Sequence, residues 1–163
     1  MSLHYQNIDE IEEVVRGFES CSTGKDEFTH ASHLTVALWY LTHYPFEQAA
    51  TRMRSGLFRF LDHHQVPVGK YNETITRFWL KVVEAYAGKH TGSSLISTSG
   101  QAPTHEQLVH LANGLIKASG NARLVFDYYS ESLINSPEAR GGWQEPDLKP
   151  FAFQAVVHEC LGG

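Results

Sequence analysis

Thr29-His30-Ala31-Ser32-His33-Leu34-Thr35-Val36-Ala37-Leu38-Trp39-Tyr40-Leu41-Thr42-His43-Tyr44 is the stretch whose reading decides the fold. Leu34, Leu38 and Leu41 form one ridge at helical spacing, and His30, His33, Ala37, Tyr40 and Tyr44 form the adjacent one. A helix apolar around this much of its circumference belongs in the middle of a domain, with other elements on several sides. Thr29 is suited to cap its start. Pro45 ends it and can open the next helix at its first position.

Working outward, a first helix is expected from about Ile8 to Ser20. Asn7 is its cap, Glu10 completes a capping box, and Ile8, Ile11, Val15 and Phe18 lie on one stripe. A third helix runs from about Phe46 to His63. A fourth starts at the cap Asn72 and runs to about Ala87, burying Ile75, Phe78, Trp79, Val82, Val83 and Tyr86. A fifth follows the cap Thr104 and runs to about Ser119, and a sixth covers Ala122 to Leu133. Ser136 with Pro137 opens a short one. Thr91 to Pro103, rich in Ser, Thr and Gly, reads as the longest loop, a lid or a plain surface segment. Phe153 to Leu161 reads as a last turn of helix. There is no strand alternation, internal repeat or domain boundary. The expected fold is all-α: one domain over residues 1–163, a bundle of five or six helices with its core at about 7–150 and an irregular tail at 151–163.

Composition removes several classes. The 163 residues are 42% hydrophobic, a globular balance in a chain long enough to bury a core without disulfide or metal. Thirteen basic against eighteen acidic residues give a net charge of −5, against a nucleic-acid partner. No apolar run approaches the roughly 18–20 residues of a membrane span. Met1-Ser2-Leu3-His4 lacks a basic segment followed by an apolar one, so no signal peptide is expected. Cys21 and Cys160 are too few for a disulfide scaffold, and a cytoplasmic protein with free thiols is the default, a single bridge between them being the alternative. The Trp and Tyr content would suit a homodimer interface.

Chemistry is concentrated in two segments. His30 and His33, three apart on one helix face, could present two imidazoles to one ion, with Glu27 three residues earlier; the competing role is capping and packing. In Tyr71-Asn72-Glu73-Thr74-Ile75-Thr76, Asn72 and Glu73 fit a helix start. Glu73 could equally serve as a metal ligand or general base, with Tyr71 and Thr76 as nearby hydrogen-bonding groups. Two His and one carboxylate suit non-haem iron or catalytic zinc. Arg54 is read as an ion-pairing arginine that could anchor Glu73 or an anionic ligand. His105-Glu106-Gln107-Leu108-Val109-His110 has one residue too many for a zinc-protease motif. No glycine-rich phosphate loop, G-x-S-x-G or CxxC is present.

Three blocks together resemble an uncharacterised family of small, mostly bacterial, all-helical proteins. They are Phe28-Thr29-His30-Ala31-Ser32-His33-Leu34, Tyr71-Asn72-Glu73-Thr74-Ile75-Thr76, and Ser136-Pro137-Glu138-Ala139-Arg140 with Trp143 and Pro146-Asp147-Leu148. The resemblance implies a helical fold in which the two His and the Tyr-x-Glu-Thr segment belong to one feature; it implies no reaction. Asn72 stands where His is common in the look-alikes, which argues against a third imidazole.

The functional expectation is an internal site of His30, His33 and Glu73 that binds a divalent metal, zinc or iron, or a small polar ligand. Arg54, Tyr71 and Thr76 would contribute to binding. Should the chain be an enzyme, Glu73, His33 and Tyr71 are the catalytic candidates. The alternative is a non-catalytic binding or interaction module in which the cluster is a hydrogen-bonded network fixing helix register. Helices two and four, parallel because each is antiparallel to helix three, would bring the three side chains to one end of the bundle.

Overall fold

The side chains of Asn7, Thr29, Asn72 and Thr104 each accept from a first-turn amide at the start of a long helix, and another long helix begins directly after Pro45. A computed structural model describes residues 4–91 and 103–150. The expected loop over 91–103, apart from its end residues, the helical turn at 153–161 and Cys160 lie outside them. Among the described residues the chain is all-α, with eight helices and no strand. The five long ones are α1 (Ile8–Glu19), α2 (His30–His43), α3 (Phe46–His63), α4 (Glu73–Thr91) and α5 (His105–Ser119). Three short ones follow: α6 (Val125–Tyr128), α7 (Glu131–Ile134) and α8 (Pro137–Gly141). No helix among the described residues is long and apolar enough to cross a membrane.

The expected caps are in place. Thr29 and Thr104 form reciprocal boxes with Ser32 and Gln107. Asn7 accepts from the Glu10 amide, while the Glu10 carboxylate reaches the amide of Gln6, one residue before the cap. Asn72 accepts from the Ile75 amide at 3.0 Å and donates to the Ile134 carbonyl at 2.7 Å, tying the start of α4 to the end of α7.

Two boundaries differ from the sequence reading. Helix α4 continues to Thr91, past Gly88, rather than ending near Ala87. The single helix expected over Ala122 to Leu133 is instead a 3-10 turn, α6 and α7. Ser130 is the cause: its hydroxyl caps α7 at the Leu133 amide, and Asp147 accepts from both its amide and its hydroxyl. An N-cap needs extended backbone, so a helix cannot run through it.

Helix α2 packs against α1, α3, α4 and α5, the central position its apolar circumference demands. The main core gathers around it, with Leu34, Val36, Leu38 and Leu41 essentially inaccessible. A smaller core of Phe78, Val82, Leu124, Val125, Tyr128, Tyr129 and Ile134 lies on another side of α4, and Trp79 packs against both. Cys21 is buried and forms no disulfide among the described residues.

Gly56 permits the close approach of α3 to α1. A Cβ at this position would lie 2.5 Å and 2.7 Å from two ring carbons of Phe18, which is fully buried. Gly56→Ala should therefore destabilise the protein by about 1–3 kcal/mol although alanine is the better helix former. Gly69→Ala, with open space around it, should change stability by less than about 0.5 kcal/mol. Urea midpoints at constant slope measure both, and a neutral Gly56→Ala would contradict the packing.

Candidate functional site

Helix directions follow from side-chain pairs. Phe28, just before α2, meets Phe60 near the end of α3 with ring centroids 5.1 Å apart. Arg54 meets Glu73, and the earlier Glu47 meets the later Arg77. Helices α2 and α3 thus run antiparallel, as do α3 and α4, which leaves α2 and α4 parallel with their N-terminal ends together.

The side chains at that end divide into two adjacent groups. The first surrounds Glu73, which is 5% exposed. Arg54 donates to both carboxylate oxygens, Nε to Oε1 at 2.9 Å and Nη2 to Oε2 at 2.6 Å. Tyr71 Oη donates to Oε1 at 2.5 Å, and Arg77 Nε to Oε2 at 2.6 Å. Arg77 also forms a fork with Glu47, at 3.0 Å on both arms. Two guanidiniums and two carboxylates balance. Burial alone would raise the Glu73 pKa, but the hydrogen bonds from Arg54, Tyr71 and Arg77 outweigh it and hold the group at about 2. Burial, reinforced by the bond to Glu73, pushes Tyr71 up to about 12.

The second group lines a cavity of about 380 Å³. Helix α2 contributes His30, His33 and Ala37, and Phe28 precedes it. Helix α3 contributes Met53, and α4 contributes Ile75, Thr76, Trp79 and Leu80. The opposite wall is Ala122, Val125 and Phe126. His30 packs edge-on against Trp79 at 4.5 Å, and His33 against Phe28 at 4.4 Å. His30 Nε2 is 3.0 Å from the carbonyl oxygen of Ser119, at the end of α5. Neither ring nitrogen of His33 has a hydrogen-bond partner among the described residues. The residue is partly buried, and the loss of hydration there, with the neighbouring His30 second, lowers its pKa to about 4. Burial lowers His30 as well, against the opposing bond to Ser119. Desolvation is thus the first cause favouring the neutral form of both imidazoles.

The ligand set expected from the sequence is therefore split. His30, His33 and Thr76 line the cavity, while Glu73 sits in the clamp with Arg54 and Tyr71. Among the described residues no three His, Cys, Asp or Glu side chains come together so as to hold a metal ion. Helical phase explains the split. Glu73 and Arg77 are four apart and share a stripe facing α3; the stripe centred on Ile75, Thr76, Trp79 and Leu80 lies about a quarter turn around α4. Placing Glu73 at the correct end of the bundle did not place it on the correct face. Arg54, with Nε and Nη2 both on Glu73, anchors that carboxylate. The sequence reading missed Arg77, although Glu73 and Arg77 form a legible i,i+4 pair. It also missed Ser119, whose carbonyl meets His30 and whose buried hydroxyl has no partner among the described residues.

No family model matches the chain, and neither the curated proteins nor the solved structures contain a match.

Two pH windows follow. His33 is neutral in the fold but titrates near 6.5 when unfolded, so its neutral form favours folding above about pH 6.5, and that stability is lost as pH falls to about 4. The Glu73 pKa is depressed from 4.5 to about 2, so its contribution is intact above about pH 4.5 and is lost below it. His33→Phe should flatten stability against pH in the upper window only, and Glu73→Gln in the lower only. Because Arg54 and Arg77 remain partly exposed, Glu73→Gln should cost about 3 kcal/mol at neutral pH, the low end for breaking a buried ion pair. Urea unfolding across the pH range checks all three outcomes.

Proposed function

We propose that this chain binds a small molecule in the cavity between α2, α4 and α6. The observation that carries this reading is the unpartnered imidazole of His33 in an otherwise largely apolar, aromatic-walled space. Its ring nitrogens have no protein partner among the described residues and so are available to a ligand group, and one hydrogen bond made there is worth about 0.5–1.5 kcal/mol. The volume of about 380 Å³ falls within the range of roughly 300–1,000 Å³ typical of ligand pockets. A divalent metal is not part of the proposal, because its expected donors do not converge.

A second reading applies to the neighbouring clamp. The four hydrogen bonds on Glu73 all come from protein donors, which supports a structural network that fixes the rotation of α4 against α3. We likewise propose membership of the helical family named above and a cytoplasmic setting, the latter supported by a Cys21 that forms no disulfide among the described residues.

Benzene, indole and naphthalene test the pocket. At least one should bind with one molecule per chain and raise the thermal midpoint in proportion to its concentration. Ala37→Leu and Ile75→Phe, which put atoms into the cavity, should abolish that binding while the protein remains folded. Calorimetry showing no binding of any of the three to the folded protein would overturn the reading.

A further inference from the structure

The lining narrows the occupant, provided the pocket reading above holds. Charge comes first. None of the described lining residues is Asp, Glu, Lys or Arg. Arg54 and Arg77, each adjacent in sequence to a lining residue, are held by Glu73 and Glu47, and Arg123, adjacent to Ala122, is exposed and lies on the Phe126 ring at 4.9 Å. An ionised group buried here would lose its hydration and meet no counter-charge among the described lining residues, a large cost.

Hydrogen-bonding character comes second. A carbonyl oxygen only accepts, so His30 Nε2 must donate to Ser119, and the Nδ1 of that neutral ring is an acceptor. His33 offers one donor and one acceptor, and Thr76 offers a hydroxyl. Burial keeps His33 unprotonated at neutral pH, so its acceptor nitrogen persists. The polar groups of the cavity are thus weighted towards acceptors and call for a donor on the ligand.

Shape comes third. Phe28, Trp79 and Phe126 supply aromatic surface, which pairs best with another ring in offset or edge-on contact. A dry cavity of about 150 Å³ accepts benzene, so a space two to three times larger suits a fused-ring molecule of about ten to fifteen non-hydrogen atoms.

We propose that the pocket takes an uncharged fused-ring compound bearing a hydroxyl, with the hydroxyl donating to His33 and the rings set among Phe28, Trp79 and Phe126. This explains why a single imidazole stands unpaired in a wall that is otherwise mostly hydrocarbon. It also gives Thr76, the one hydroxyl on the α4 side of the cavity, a place beside the polar edge of the ligand.

The test compares naphthalene, β-naphthol and β-naphthoate by calorimetry at neutral pH on the full chain. β-Naphthol should bind about tenfold more tightly than naphthalene, the gain of one well-placed hydrogen bond in a buried site, and β-naphthoate more weakly than either. His33→Phe keeps a ring and removes both nitrogens; β-naphthol and naphthalene should then bind that variant equally well. If that variant fails to fold, His33→Leu carries the same comparison. Equal affinity for naphthalene and β-naphthol, or tighter binding of β-naphthoate, overturns the hydroxyl assignment and leaves the pocket standing. A preference for β-naphthol that survives in the His33 variants overturns the role of His33. No binding of any of the three to the folded protein overturns the pocket reading and this inference with it.

Discussion

A carboxylate 5% exposed in the middle of a helical bundle sets the geometry of this protein. Glu73 cannot remain ionised there without donors, and the chain provides them from three places: Arg54 on α3, Tyr71 in the turn before α4, and Arg77 one turn along α4. Each donor constrains a different motion. The two bonds from Arg54 fix how far α4 can rotate about its axis relative to α3, because a planar guanidinium accepts only one orientation of its partner. Tyr71 fixes the path by which the chain enters α4. Arg77 extends the pairing to Glu47 near the start of α3, so the two helices are held at points some turns apart.

The cavity follows from that rotation. With Glu73 and Arg77 turned to α3, the stripe of α4 carrying Thr76 and Trp79 must face α2 and the short helices after α5. Helix α2 presents Ala37 there, too small to fill the space, and two imidazoles that cannot interdigitate as leucines would. The far wall is the 3-10 turn and α6, ended where Ser130 caps α7 and is tied to Asp147. Trp79 packs against both hydrophobic clusters and so borders the space without closing it. A charged, fully partnered clamp and a nearly apolar cavity therefore lie side by side on one helix.

The contrast between these neighbours is electrostatic. Glu73 is buried and His33 partly so, yet the first is held towards its ionised form and the second towards its neutral one. The difference lies in the partners: bonds from Arg54, Tyr71 and Arg77 outweigh desolvation at Glu73, whereas nothing opposes desolvation at His33 and the adjacent His30 adds to it.

Much of the fold was determined by the sequence alone, because its signals are local. Thr29, Asn72, Thr104 and Ser136 act within three residues of themselves, and the helical repeat of apolar residues needs no knowledge of neighbours. The central place of α2 was legible for the same reason, as was the parallel pairing of α2 and α4, which short connections impose. The division of the 122–134 segment was not legible, since Ser130 becomes a helix start only when Asp147 returns from the tail to meet it. Nor was the fate of Glu73. Its position near His30 and His33 at one end of the bundle follows from topology, but the face it points to depends on the phase of α4 against two other helices at once. A quarter turn, decided by where Arg54 comes to rest, separates a carboxylate beside two imidazoles from one enclosed by arginines. Only the tertiary structure decides that angle, because it is the joint outcome of contacts nineteen and more residues apart.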